Sequence, residues 1–394
     1  MLDNKSILIY VNNSLGELDW IGPFISSPEA SRSHFYIYLK KVGRTHLDRV
    51  KVLQNYGLDL KNVTLLNNSE HITPLYKVLY KILGAVYKKT GRLSSFKRKL
   101  CTNQALKLGY IQSFDFIFRD YNLKDSYELE NFINLNQDAK IVIYPHAVGI
   151  QKLTSGFEFK GRPRIVNADL WLENTNLSTR HIPYYGDIFY ASGSPGLALG
   201  YEKKKLFSIK SKNVLIITRN NYSLYGSSRI EALKVFESAL IFCQSKGLNV
   251  YIKHHPRDKK VEQYRKIQNT FNNVEEFQES LNNLSTNFRV CLSLFSTAGL
   301  FCTARGIPVL DITPYKDCES IDTPLPFHYC SSDKSFLTHD LIENNLQHRF
   351  ESFEKLMSAS YLEGLSVSQF NALKVNFPGH ANLNIVRKLE ALSK

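Results

Sequence analysis

The chain has 394 residues but no run of about 18 uncharged apolar residues, the length a membrane-spanning helix requires. It opens with Met1-Leu-Asp-Asn-Lys-Ser-Ile-Leu-Ile-Tyr10, an acidic and polar lead into a strand where a secretory signal would be basic and then apolar. A cytoplasmic location is expected. Its six cysteines form no CxxC pair and no metal-like spacing to histidine. Neither a disulfide framework nor a structural zinc is expected, and the thiols should be small core residues. No GxGxxG fingerprint follows the first apolar stretch, which argues against a dinucleotide clamp of the dehydrogenase type. No DxD sequence supports a metal-held diphosphate, so neither a metal nor a resident cofactor is expected. RNP-like aromatic motifs, zinc-finger spacing and a basic zipper are also missing, so nucleic acid is not an expected partner.

Acid is locally scarce in a chain whose formal net charge is +14. Such an excess favours anionic partners. From Glu70 to Asp115 no acidic residue intervenes, while Lys77, Lys81, Lys88, Lys89, Arg92, Lys97, Arg98, Lys99 and Lys107 accumulate. Inside this stretch Leu75, Leu79, Ile82, Leu83 and Val86 recur at helical spacing. Two readings stay open. Residues 74–107 carry a basic amphipathic helix that lies on an anionic inner-membrane face, or a helix that packs on the core and shows its basic face to water.

Short apolar strand candidates alternate with helical segments through both halves, which predicts an α/β protein with mainly parallel sheets. The length suits two domains of roughly 150 to 200 residues each. Their limits are expected at 1–205 and 206–394, where Gly, Pro and Ser give way to Lys203-Lys-Lys205. In the first half, strands are predicted at 6–11, 35–39, 63–66, 114–118 and 140–144. A loop with two glycines is predicted over 12–23, and helices at 28–34 and 126–133. In the second half, strands are predicted at 213–218, 250–252, 290–294 and 307–311. The helix that begins near Ser227 should stop before Gly247. From Leu337 the chain turns helical, and its final helix, 383–392, is placed back across both domains.

The chain is organised around two stretches of the second half. In Asn249-Val-Tyr-Ile-Lys-His-His-Pro-Arg-Asp258 an apolar strand delivers Lys253, His254 and His255, and a proline then ends the ladder. In Arg289 to Asp311 a strand runs into a hydroxyl-rich turn and a short helix closed by Gly306. Ser293, Ser296 and Thr297 stand before that helix, where free N–H groups and the helix dipole favour an anion. Ligands of open α/β sheets sit at such carboxyl ends. The pair suggests a nucleotide-phosphate site, with Arg219 and Tyr222 in the loop after the 213–218 strand as further candidates. His146, in Tyr144-Pro-His-Ala-Val-Gly149, is placed by the same logic in the first half. Glu17 and Asp19 are the acids of the first loop, expected as solvated or capping groups unless turned toward the site. The chemistry needs a base for an acceptor hydroxyl and cations and N–H dipoles for the leaving phosphate.

Taken together, these motifs resemble a GT-B-type transferase: two Rossmann-like domains facing a central cleft, with a helical C-terminal tail. The likeness is to bacterial surface-polysaccharide enzymes: CDP-glycerol glycerophosphotransferases, capsule polysialyltransferases and Kdo transferases. It covers mainly 213–311 and, more loosely, the strand around His146. The resemblance implies that His255, with His254 beside it, binds the nucleotide's phosphates and that Ser293, Ser296 and Thr297 cap them. In the glycerophosphotransferases a first-domain His-Gly element supplies a catalytic imidazole; here Ala147 follows His146. Polysialyltransferases use an acidic pair before glycine, and this chain offers only Gly16-Glu17 and Asp19. The implied partners are a nucleotide-sugar donor, CMP- or CDP-linked, and a glycan or lipid-linked acceptor. Glycerophosphate transfer from CDP-glycerol, nucleotide-sugar 2-epimerisation and non-catalytic polyanion binding are the competing expectations.

Overall fold

The computed structural model describes residues 2–11, 15–39, 46–55, 58, 60–66, 113–120, 129, 132–133, 135–145, 158–159, 162–163, 168–175, 177, 188–219, 228–255, 258–294, 296–314, 341 and 344–393. The basic segment 74–107, His146 and Tyr222 lie outside them. Among the described residues no helix is long and apolar enough to cross a membrane.

The first lobe begins with β1 (Ser6–Val11), α1 (Leu15–Ile25), β2 (His34–Leu39), α2 (His46–Asn55), β3 (Val63–Leu66), β4 (Phe116–Asp120) and β5 (Lys140–Tyr144). A short antiparallel pair follows, β6 (Glu158–Phe159) and β7 (Arg162–Pro163), then β8 (Leu170–Glu173), β9 (Phe189–Ala191) and α3 (Pro195–Glu202). Its sheet is parallel throughout, in the order β3-β2-β1-β4-β5-β8-β9. The second lobe contains β10 (Asn213–Ile217), α4 (Arg229–Ser245), β11 (Asn249–Lys253), α5 (Glu262–Gln268), β12 (Val274–Glu276), β13 (Val290–Ser293), α6 (Gly299–Ala304), β14 (Val309–Asp311) and β15 (His348–Arg349). Its parallel sheet has the order β12-β11-β10-β13-β14-β15. Both sheets reverse direction beside their first strand, which opens a crevice at the carboxyl ends of β1 and β4 and of β10 and β13.

The tail, α7 (Ala359–Asn376) and α8 (Ala381–Leu392), ties the lobes together. Leu362 and Leu365 of α7 join the second-lobe core, while Ile385, Val386 and Leu389 of α8 join the core of the first. The crossing predicted for the final helix is thus shared: α7 joins the second-lobe core and the final helix joins the core of the first. At the crossing point Gly193 has φ +89°, and a Cβ there would lie 2.3 Å from the Pro378 carbonyl oxygen, so only glycine fits.

Three expectations are corrected. The loop predicted over 12–23 is largely the helix α1, Pro23 included. Glu17, Leu18, Trp20, Ile21, Phe24 and Ile25 are all buried. At about 1.5–3 kcal/mol for each large apolar side chain, that burial outweighs the roughly 1 kcal/mol that each helical glycine costs. The helix predicted at 28–34 is a single 3-10 turn, Pro28–Ala30. Strand pairing claims His34, whose N–H donates to the Lys5 carbonyl at 2.8 Å. The fourth strand starts at Phe116, two residues late, because Asp115 is used as a tie: its carboxylate accepts from Ser6 N at 2.8 Å and from Lys5 Nζ at 2.9 Å. Of the helix predicted at 126–133, Leu129, Phe132 and Ile133 are described and helical.

Candidate functional site

The second-lobe site is built on three neighbouring strand ends. Ile217 of β10 is level with Lys253 of β11 on one side and with Ser293 of β13 on the other. Two strand spacings therefore separate Lys253 from Ser293, roughly 9–10 Å. Thr218 continues β10 between them, fully buried, and its N–H donates to the Lys253 carbonyl at 3.0 Å. Arg219 follows, half-buried, at the mouth of the same edge.

Lys253 donates to the carbonyls of Glu279 at 2.7 Å and Phe277 at 3.3 Å. Burial pulls its pKa below the ordinary lysine value, and Asp19 and Glu279 partly offset that pull. Asp19 belongs to the first lobe.

His254 is bonded through both ring nitrogens: Nδ1 lies 3.3 Å from Thr218 Oγ1 and Nε2 3.1 Å from Gln268 Oε1. A carbonyl-type acceptor at Nε2 selects the tautomer protonated there, so Nδ1 accepts from the Thr218 hydroxyl. Burial lowers its pKa. His254 is a neutral brace between strand ends, and His255, half-buried, is the imidazole that follows it at the edge. The loop beyond is held by Asp258, whose N–H donates to the His255 carbonyl at 2.9 Å. The Asp258 carboxylate accepts from Arg229 Nη1 and Nη2 at 3.1 and 2.9 Å. Sequence reasoning missed this Arg229–Asp258 pair because nothing local links residues so far apart in the chain.

In the hydroxyl-rich turn the three candidates divide. Ser293 is fully buried, and its Oγ accepts from Ser296 N at 3.1 Å. Ser296 Oγ accepts from Ala298 N at 3.3 Å, and its carbonyl accepts from the buried Gln347 Nε2 at 2.9 Å. Those serines shape the turn. Thr297 is half-exposed, and neither its N–H nor its hydroxyl has a hydrogen-bond partner among the described residues. α6 itself starts at Gly299, with Ala298 as the residue before it.

On the first lobe, Glu17 is fully buried rather than solvated, and Tyr144 Oη donates to its Oε2 at 3.4 Å. Burial, reinforced by Glu17 and Asp120, raises the Tyr144 pKa well above its usual value, so the phenol keeps its proton. The Tyr144 ring stacks on Trp20 at 5.6 Å, and Trp20 Nε1 donates to Asn174 Oδ1 at 2.6 Å. Asp19 is half-exposed and two residues from Glu17. Pro23 has no N–H for the Asp19 carbonyl four residues earlier. That carbonyl instead faces Gly196 of α3, where an added Cβ would be 3.1 Å from it, 3.0 Å from Phe301 and 3.0 Å from Asn282 Oδ1. Gly196 is the point of close approach among α1, α6 and the turn 281–283. Proline and glycine there read from sequence as loop signals, which hid their role in docking the lobes.

The architecture is that of GT-B proteins. A putative UDP-N-acetylglucosamine 2-epimerase from Listeria monocytogenes superposes with a TM-score of 0.58 at 12% identity, over 99% of this chain and 96% of that one. A UDP-GlcNAc 2-epimerase from Neisseria meningitidis, bound to UDP-GlcNAc, gives 0.55 at 14%, over 98% and 100%. A calicheamicin glycosyltransferase gives 0.53 at 12%, over 98% of each chain. No curated protein matches the sequence. The profile of the Alpha-2,8-polysialyltransferase (POLYST) family matches residues 110–290. That match runs from β4 into β13 and includes the first two strand ends of the second-lobe site, and the chain has the GT-B fold along its whole length and is similar over 110–290 to the polysialyltransferases.

Proposed function

We propose that this enzyme transfers a sugar from a CMP- or CDP-linked donor to a hydroxyl of a capsule, lipopolysaccharide or related surface glycan, without a metal. The observation that carries the reading is that the Asp19 carbonyl meets Gly196 where Phe301 and Asn282 of the second lobe also close in, which brings Asp19 against the lobe where Lys253 and Ser293 are level on either side of β10. Asp19 takes the proton of the acceptor hydroxyl. The oxygen then forms its bond to the anomeric carbon while the bond from that carbon to the phosphate oxygen breaks. The nucleotide leaves as an anion stabilised by Lys253, His255 and the N–H and hydroxyl of Thr297. Glu17 and Tyr144 fix the amino end of α1 and so the position of Asp19. Fixed cations and dipoles perform the charge stabilisation that a metal would otherwise provide. The similarity to polysialyltransferases favours a CMP-linked acidic sugar, and a GT-B neighbour holds a nucleotide sugar, UDP-GlcNAc. Residues 74–107 place the enzyme at the inner membrane face, through lysines and arginines that attract anionic lipid.

A thermal-shift screen of CMP, CDP, UDP and GDP tests the donor class, because a ligand that prefers the folded state raises its melting temperature. Selective stabilisation by CMP is expected; selective stabilisation by UDP overturns the donor assignment. The epimerase neighbours favour a second reading, 2-epimerisation. It predicts that the donor sugar alone changes, without acceptor, which product NMR detects.

A further inference from the structure

Buried arginines in this protein are matched to acceptors. Arg289 donates to the carbonyls of Leu356, Ile209 and Met357, and Arg305 to those of Lys204 and Leu284. Arg49 is different. It is 5% exposed, its Nε is enclosed with no acceptor, and among the described residues its guanidinium forms no hydrogen bond or ion pair. A charge withdrawn from water without a partner is strongly unfavourable, and folds that keep one generally use it.

Its place in the chain indicates the use. Arg49 lies in the first turns of α2, and Leu53, four residues on, is buried in the first-lobe core with Val11 and Leu39. Residues four apart share a helix face, and helical side chains lean toward the amino end. Since α2 connects the parallel strands β2 and β3, that end lies at the carboxyl edge of the sheet. The crossover from β1 brings Glu17 and Asp19 to the same edge. In the transfer reading this edge is the acceptor side, opposite the lobe assigned to the donor's phosphate.

We infer that Arg49 anchors an anionic group of the acceptor, a carboxylate or a phosphate monoester, which a guanidinium takes through paired hydrogen bonds. The word acceptor rests on the transfer reading above; the anion site does not.

The test compares full-length wild type with Arg49→Met and Arg49→Lys. Each is titrated calorimetrically with an α-2,8-linked sialic acid trimer, the methyl ester of that trimer, inorganic phosphate and, as a donor-side control, CMP. Wild type should bind the acid trimer or phosphate at least about tenfold more tightly than the neutral ester, as a charged hydrogen bond implies. Arg49→Met should lose that preference with CMP affinity unchanged, and Arg49→Lys should keep part of it. Removing an unmatched buried charge should also raise the melting temperature of Arg49→Met, by about 2–4 °C. Preference for the trimer over phosphate assigns a carboxylate, and the reverse a phosphate. Equal anion binding by wild type and Arg49→Met overturns the proposal. So does a lowered melting temperature with CMP binding also lost, because Arg49 is then structural. If the transfer reading alone is wrong, wild type shows no turnover while the trimer's preference over its ester persists.

Discussion

The two lobes share a strand order but carry opposite chemistry on their carboxyl edges. The first-lobe edge is acidic and closed: Glu17, Asp120 and Glu173 are all buried there, with Tyr144 held between two of them. The second-lobe edge presents Arg219, Lys253, His255 and Thr297, each half-buried, over a floor of Thr218, His254 and Ser293. In the proposed reading, one fold used twice supplies a proton-accepting wall and a phosphate-holding wall. What separates them is the set of side chains one or two residues past each strand, since the strands themselves are similarly apolar. The lobes are complementary only if they face each other, which is why the close approach of Asp19, Phe301 and Asn282 at Gly196 bears more weight than either edge alone.

The comparison breaks most visibly at Asp19. Asp19→Asn should lower kcat by about 10²–10⁴-fold, the usual loss of a general base, with CMP affinity unchanged. If Glu17→Gln has the larger effect on kcat at unchanged melting temperature, the buried acid takes the proton and the assignment within the first lobe is reversed. On the other wall Lys253→Met should weaken CMP binding by roughly 10- to 100-fold, as expected when a charge-assisted hydrogen bond of about 1.5–3 kcal/mol is lost. Calorimetry separates that from a kcat effect. Thr297→Val, which removes one neutral hydroxyl, should cost only about fivefold in the same titration. Ser293→Ala should act differently, through a loosened turn, and lower the melting temperature as well.

Much of the second lobe was legible because its signals are local. The strand 249–253 ends where Lys-His-His-Pro begins, Ser228 caps α4 as a serine before a helix should, and Gly306 closes α6 at φ +74°. The first-lobe edge was less legible because it is assembled at a distance. Glu17 is buried beside Tyr144, whose ring stacks on Trp20, and the helix that carries it contains two glycines and a proline. Local propensity argued for a loop there, and tertiary burial overrode it. His254 was legible as a site residue, but its task was not: Gln268 and Thr218 are distant in sequence, and only the fold brings them to its two nitrogens.

That brace gives the smallest effect and the finest test of the second lobe. His254 is surrounded by Thr218, Gln268, the Tyr264 ring, Glu276, Arg265 and Asp258, and burial holds its pKa below the usual histidine value. At pH above about 6.5 the imidazole is neutral in both folded and unfolded chains and contributes no pH dependence. As the pH falls below that, the unfolded chain takes up the proton first, so stability is lost until the lowered folded pKa is reached. Melting temperature should therefore fall on mild acidification, by at most about 3 °C per pH unit from this group. His254→Gln cannot titrate and should flatten that part of the curve. If donor affinity in His254→Gln stays within about twofold of wild type at pH 7.5, His254 positions Thr218 and does not contact phosphate. A loss like that of Lys253→Met would instead move it into the phosphate-binding set.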